Sequence, residues 1–168
     1  MPKKASKTKT KSHSKQRQIA ALPYRVADCG AIEILVMTSR ETQRFILPKG
    51  WPIKGLSPSD AAAREAFEEA GLVGKARRKP FGRYRYWKRF KASFGLVDVD
   101  VYPLEVRKQR KKWPEKGERH MRWLSFDDAA LLVDEPELET LLLEFGRKRG
   151  GGGGGGPRPA GAPRARGG

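Results

Sequence analysis

The sequence predicts a mixed α/β (α+β) sandwich built as one domain. Three observations carry this. Apolar runs of strand length fall on both sides of one sharply punctuated helix. Two further helical stretches close the apolar part of the chain. The resulting order of strands, helix, strands and helices is the pattern that lays helices against a sheet. Of the 168 residues, the stretch 20–148 holds nearly all the apolar content, an ordinary size for one core.

Residues 1–16 are Lys, Ser and Thr with almost nothing apolar, too little to offset chain entropy. The expectation is a disordered basic tail over residues 1–19. Residues 22–27 and 32–38 are apolar, strand-like runs parted by a short stretch with Gly30. Residues 44–47 form a short strand ended by Pro48. A helix starts near Ser57, a good N-cap, with Pro58 at the first helical position and Asp60 at the positive helix end. Gly71 suits its C-terminal exit. Residues 72–87 are mixed, with basic and aromatic residues alternating over 83–88 as in a half-exposed strand. Residues 92–106 read as one long or two short strands, and residues 121–124 as another. Ser125 caps a second helix, with Asp128 three residues on as in a capping box. Residues 137–145 form a third helix. The stretch 149–168, a Gly run followed by Pro, Ala and Arg, reads as a flexible tail.

The net charge of +17 is unevenly placed. Six lysines lie in residues 1–16 and four arginines in residues 149–168, with no acid in either stretch. Between 17 and 148 there remain 26 basic and 19 acidic residues, a net of +7, which favours an anionic ligand. No apolar run is long enough to cross a membrane. No apolar stretch of signal-peptide type follows the basic N-terminus, and its lysines differ from the Arg-rich pattern of transit peptides. Cys29 is the single cysteine. It excludes an intrachain disulfide and suits a reducing, cytoplasmic compartment; its apolar setting reads as a buried, inert thiol.

The helix after Ser57 carries the chemistry. At 100° per residue, Ala63, Ala66, Phe67 and Ala70 form an apolar face, while Glu65, Glu68 and Glu69 are neighbours on the other side. Like charges so spaced repel by a few tenths of a kcal/mol per pair. A hard divalent cation with oxygen ligands offsets that repulsion; so does a solvated face with Arg64 as counter-charge. Helix geometry alone leaves both open.

The flanking residues extend the pattern. Arg64-Glu65-Ala66-x-Glu68-Glu69-x-Gly71-Leu72, with Gly50 standing 14 residues before Arg64, resembles the signature box of the Nudix hydrolases. One position departs: the box places a Glu six residues after its first Gly, and Leu56 stands here. In the family that Glu commonly supports the loop and the box Arg, so the departure touches loop geometry more than chemistry. Trp51 and Pro52 are expected to stiffen the turn instead. The loop resembles that of bacterial relatives of diphosphoinositol polyphosphate and diadenosine polyphosphate hydrolases.

The resemblance implies an α/β/α sandwich with a mixed sheet. It also implies a pyrophosphohydrolase that uses Mg²⁺, or Mn²⁺, to direct water at phosphorus. It makes Glu65 and Glu69 catalytic and metal-binding, and Glu68 a further ligand or a partner of one. It leaves the general base open between Glu65 and Glu69. Gly50, Arg64 and Gly71 become the structural positions of the motif. Many members add a carboxylate from a downstream loop, for which Glu118 is preferred over Glu115.

Arg25, Arg40, Lys49 and Lys54 precede or enter the box and are the candidate phosphate-binding residues, Lys49 and Arg40 foremost. The basic run 108–112 beside Trp113 closes over an anionic substrate, meets RNA, or is a solvated loop. His120 reads as structural. The functional expectation is hydrolysis of diphosphoinositol or dinucleoside polyphosphates. The alternatives are an RNA 5′-pyrophosphohydrolase of the same fold, gathering RNA through its basic tails, or a non-catalytic basic binding module. A pure anion binder gains nothing from three clustered carboxylates.

Overall fold

The computed structural model describes residues 16–150; the expectations for residues 1–15 and 151–168 lie outside the described residues. Along the chain run β1 (Gln16–Val26), β2 (Ile32–Thr38), β3 (Phe45–Ile46), β4 (Lys49–Gly50), α1 (Pro58–Ala70), β5 (Leu72–Ala76), β6 (Gly82–Arg89), β7 (Phe94–Gln109), β8 (Met121–Ser125), α2 (Phe126–Leu132) and α3 (Pro136–Gly150).

The strands join one mixed sheet whose centre is β1 paired in parallel with β7 from Gln16↔Val97 to Tyr24↔Glu105. The other strand-to-strand pairings are antiparallel, and one isolated parallel bridge joins Phe45 of β3 to Val133. Side chains on a strand alternate between faces, and the alternation here sorts the interior into two cores. Ala20, Leu22 and Tyr24 of β1, Ile32, Ile34 and Val36 of β2, and Val97, Val99 and Val101 of β7 pack with Leu138, Leu142 and Phe145 of α3. Ile19 and Ala21, Leu35 and Met37, and Tyr102 and Leu104 pack on the opposite face against Ala61, Ala62, Ala66 and Ala70 of α1. The result is the expected α/β/α sandwich. Each fully buried Leu, Ile or Val contributes roughly 1.5–3 kcal/mol relative to exposure.

One edge of β1 changes partner along its length. β4 pairs with it at Ile19 and Ala20, and β2 at Tyr24, Arg25 and Val26. Pro23, which has no N–H to give a ladder, falls between the two partners. The opening that results admits the 39–50 segment to the middle of the sheet, and this is where the box helix meets it.

Local chemistry explains α1. Ser57 (φ −63°, ψ 156°) accepts from the Asp60 N–H, Pro58 opens the helix, and Gly71 leaves it at φ 69° with its N–H on the Phe67 carbonyl. The buried face is Ala61, Ala62, Ala66 and Ala70, rather than the expected Ala63, Ala66, Phe67 and Ala70. The stripe is rotated because Ala61 and Ala62, having no bulk, let the helix lie close on β1, and this carries Glu69 to the buried margin.

Four other expectations are corrected. α3 runs to Gly150, so residues 149 and 150, assigned to the flexible tail, belong to the last helix, where Arg149 donates to the Tyr24 hydroxyl at 2.8 Å. β1 begins at Gln16, so residues 16–19, assigned to a disordered tail, belong to the sheet; their apolar content is low, and the parallel ladder to β7 holds them. Cys29 is exposed, not buried, because residues 28–30 form the turn between β1 and β2. Residues 108 and 109, read as loop, extend β7, which is one strand to Gln109 and pairs with β5 up to Leu72↔Gln109. No described helix is long and apolar enough to cross a membrane.

Candidate active site

β4 lies beneath the box helix. The Lys49 N–H donates to Glu69 Oε2 at 3.3 Å. Gly50 abuts Glu65: a Cβ at this position would lie 2.2 Å from Glu65 Oε1. The first glycine of the motif is therefore glycine because a carboxylate occupies the space of its side chain. Glu65 and Glu69, one helical turn apart, thus each meet a residue of the same two-residue strand.

The downstream loop is docked onto the C-terminal turn of α1, whose last carbonyls lack partners inside the helix. Gln109 Nε2 donates to the Ala70 carbonyl at 2.9 Å, the Arg110 N–H to Gly71 at 2.8 Å and the Glu115 N–H to Glu68 at 3.0 Å. The Trp113 ring packs where a Gly71 side chain would stand, 2.4 Å from that Cβ position. Gly71 is thus needed twice, for its left-handed backbone and for the seat of Trp113.

Docking brings Glu115 and Arg119 to the box. The Arg119 side chain, 6% exposed, pairs with Glu69 Oε1 and Glu115 Oε1, each at 3.4 Å, and donates to the Thr38 carbonyl at 3.3 Å. Its Nε has no hydrogen-bond partner among the described residues. Arg40 reaches the same loop, at 3.2 Å from Glu115 and 3.3 Å from Glu118.

The charges are held under tension. Burial pushes the Glu69 carboxyl up to about 7, against the pull of Arg119 and Lys49, and Glu65 and Glu115 add to the rise. Glu65 is raised as well, by burial first and then by Glu68 and Glu115. Burial lowers the Lys49 ammonium to about 8, with Lys88 and Arg119 acting in the same sense and Glu69 opposing. Burial is the main penalty on these carboxylates, and Arg119 and Lys49 offset only part of it. Hard oxygen donors short of cation suit Mg²⁺ in kind, although among the described residues no three acidic, His or Cys side chains converge as a ready metal cage.

A groove of about 480 Å³ opens beside them. Arg40, Arg44, Lys49 and Arg119 line it together with Glu69, and the aromatic residues Trp51, Tyr84, Tyr86, Trp87 and Phe94 form much of the remainder. A larger hollow of about 780 Å³ lies at the N-terminal end of α1 and includes none of the box carboxylates.

Of the residues expected to hold phosphate, Lys49 and Arg40 line this groove. Arg25 does not: it pairs with Glu33 at 2.6 Å and stacks over Trp123 at 4.2 Å, at the far end of β1. Lys54 is exposed on the 51–57 loop and lies outside the groove lining. Glu118 is directed to Arg40, whereas Glu115, the alternative weighed beside it, is the carboxylate whose charge reaches Glu65 and Glu69. Leu56 is exposed, and Arg64 pairs with Glu68 at 3.8 Å in place of any box Glu. Trp51 is exposed and lines the groove, while Ile53 anchors the loop to the core beneath α1. His120 uses its backbone to tie to Thr38, consistent with a structural role. Trp113 is engaged with Gly71 and does not line the groove. Arg119 was not singled out from the sequence. Its one local trace is the i, i+4 spacing from Glu115, which many surface pairs share.

Comparison with known proteins agrees with this geometry. The NUDIX domain model matches residues 17–145. The chain is 30% identical over 122 residues to Nudix hydrolase 18, mitochondrial, of Arabidopsis thaliana, covering 68% of this chain and 67% of that protein. It spans 59–67% of the length of the Arabidopsis relatives it matches. The asymmetrical bis(5′-nucleosyl)-tetraphosphatase of Sus scrofa is 29% identical, over 70% of this chain and 80% of that one. Among solved structures, a C. elegans Ap4A hydrolase binary complex shares the fold with a TM-score of 0.60 at 22% identity, over 81% of this chain and 98% of that one. With the box on α1, the glycine that yields to Glu65 and a family match across the whole sandwich, the chain belongs to the Nudix hydrolase family.

Proposed function

We propose that this protein is a Mg²⁺-dependent pyrophosphohydrolase that cleaves a phosphoanhydride bond in a polyphosphorylated small molecule, a dinucleoside or diphosphoinositol polyphosphate, with Mn²⁺ as a substitute metal. The observation that carries the proposal is the seating of Glu65 and Glu69 against Gly50 and Lys49 at the edge of a cation-lined groove.

Glu65 and Glu69 would hold the metal, with Glu68 and Glu115 as the nearest additional oxygen donors. When bound, the metal neutralises phosphate oxygens and lowers the pKa of water. The chain's own residues do the rest. Lys49 and Arg40 hold phosphate charge along the groove, Lys49 as a point charge and Arg40 as a planar fork. Arg119 keeps Glu69 and Glu115 at fixed separation beneath the substrate. Glu65 or Glu69 takes the proton of the attacking water. The working compartment proposed is the cytoplasm, in which an exposed, single Cys29 stays a thiol.

The test is a substrate panel assayed with and without magnesium: diadenosine tetraphosphate, a diphosphoinositol polyphosphate, ADP-ribose and 5′-triphosphorylated RNA. Magnesium-dependent cleavage of the first two above the others is expected. Full activity in excess chelator would overturn the metal assignment. Preference for the RNA, with a steep fall in binding as salt rises, would transfer the reading to RNA 5′ ends.

A further inference from the structure

The hollow of about 780 Å³ at the start of α1 shares no lining residue with the active-site groove. Residues 57–60 and Ala63 of α1 line one side, and residues 73–76 of β5 with Arg78 and Arg107 line the other. Three cations, Lys75, Arg78 and Arg107, stand in this lining against one acid, Asp60, whose Oδ2 already accepts from the Ser57 hydroxyl at 2.7 Å.

A bulge in the sheet places Arg107 there. The β5–β7 register shifts from Val73↔Lys108 to Gly74↔Val106, so Arg107 has no residue opposite it. Val106 packs against the core on the α1 side, and strict alternation would send Arg107 to the other face. A bulge re-aims the residue it inserts, and Arg107 lines the hollow beside α1. Gly74 permits the distortion, because a Cβ at that position would collide with the Glu105 carbonyl oxygen.

Basic runs flank the hollow. Residues 77–79 follow β5 at its Ala76 end, and residues 108–112 lie at the other end, where Leu72 pairs with Gln109. The cations within 75–79 and 107–112 are all exposed, and among the described residues none of them has an ion pair or a side-chain hydrogen bond. Elsewhere the pattern is the opposite: Arg40, Arg44, Arg64, Arg83, Arg85 and Arg119 each face a carboxylate. Cations gathered without counter-charge repel one another and draw a polyanion.

The form of the surface selects among polyanions. It is a track at least as long as the five residues of β5, about 16 Å. That length matches roughly five nucleotides of a strand that rises about 3.4 Å for each. None of the exposed large apolar side chains described lies within it, and Trp113, the aromatic beside it, is turned onto Gly71. The track therefore has nothing to insert into a bilayer and no free ring on which bases could stack. We infer that the hollow and its flanking basic runs bind the sugar–phosphate backbone of single-stranded nucleic acid, without reading its sequence, at a surface separate from the active site. This surface does not depend on the hydrolase reading.

The experiment measures binding of fluorescein-labelled uridine and adenosine RNA homopolymers to the full chain by anisotropy, in excess chelator so that no cleavage intervenes, across a range of salt. The parent is compared with a triple variant, Lys75→Gln, Arg78→Gln and Arg107→Gln. An equal loss of charge at exposed positions outside the track, Lys91→Gln, Arg122→Gln and Arg147→Gln, is the control. Each phosphate contact on a single strand contributes about 0.7 to the slope of log affinity against log salt. The slope should fall by about 2 in the track variant, and affinity at low salt by about tenfold or more, for both homopolymers alike. The control variant should stay within about threefold of the parent, and both variants should keep its Tm and its hydrolysis of diadenosine tetraphosphate. Arg107→Gln alone, expected to lower the slope by about 0.7, decides the matter if the triple variant does not fold. A track variant that binds within twofold of the parent overturns the inference, as does a control variant that weakens equally. A parent that binds phosphatidylserine vesicles but neither RNA overturns it in favour of a membrane surface. Loss of hydrolysis at an unchanged Tm overturns the separation from the active site.

Discussion

Replacing Gly50 by Ala separates the geometry of the site from the stability of the fold. The new Cβ would stand 2.2 Å from Glu65 Oε1, 2.3 Å from Cδ and 2.8 Å from Oε2. Ordinary contact begins near 3.4 Å, so the carboxylate must retreat by about 1.2 Å. It can do so, because the obstructed atoms are the far end of a flexible side chain, and Gly50 does not have the positive φ that would strain an alanine. The fold should therefore persist, with a change of about 1 kcal/mol or less, no larger than a typical point substitution. Catalysis should not: a displacement of about 1 Å in a reacting constellation costs about a hundredfold. The assay is steady-state hydrolysis at saturating magnesium, with thermal denaturation in parallel. Coupling identifies the cause. If Gly50→Ala acts by moving Glu65, then combining it with Glu65→Gln should be scarcely worse than Glu65→Gln alone, since neighbours sharing one role are not additive. A turnover within threefold of the parent, or fully additive losses in the double variant, would refute the reasoning.

The remaining predictions concern the same site. Glu65→Gln and Glu69→Gln should each lower turnover at least about a hundredfold with circular dichroism unchanged; the variant that loses kcat while keeping its magnesium affinity identifies the general base. Arg119→Ala removes the guanidinium paired with the buried Glu69, 7% exposed, while Glu115 keeps Arg40 at 3.2 Å, and should destabilise the protein by about 3 kcal/mol, seen as a Tm lower by roughly 10 °C; an unchanged Tm would show that the pair is not structural. Lys49→Ala should raise KM more for longer polyphosphates than for ADP-ribose, in a competition assay at fixed ionic strength, because it supplies binding charge rather than transition-state chemistry. A chain cut to residues 16–150, which holds every described element, should keep hydrolysis of small substrates near the parent rate; loss of that activity in a folded product would place part of the site outside the sandwich.

Local and periodic features were legible in the residues alone. The box helix could be read end to end, because Ser57, Pro58 and Gly71 are chosen by helix termini that need no tertiary partner. Apolar runs of strand length marked most of the strands, and the basic–aromatic alternation over 83–88 marked a half-exposed one. The spacing of Gly50, Arg64, Glu65, Glu68 and Glu69 was specific enough to indicate the family. The remaining features depend on segments distant along the chain. A rotation of the buried stripe toward Ala61 and Ala62 is set by how closely α1 can approach β1, which helix periodicity does not contain. The role of Gly50 emerges only when β4 passes beneath Glu65. Glu115 and Arg119 reach the box because Gln109, Arg110, Trp113 and Glu115 satisfy the end of α1, and no spacing rule links residue 119 to residue 69. Arg25 and Lys54 were plausible phosphate ligands by proximity in sequence, yet β1 directs the first away and the loop leaves the second outside the groove. Local order is specified by neighbours a few residues apart, whereas a site is specified by closures of the chain whose geometry exists only after the sheet has formed.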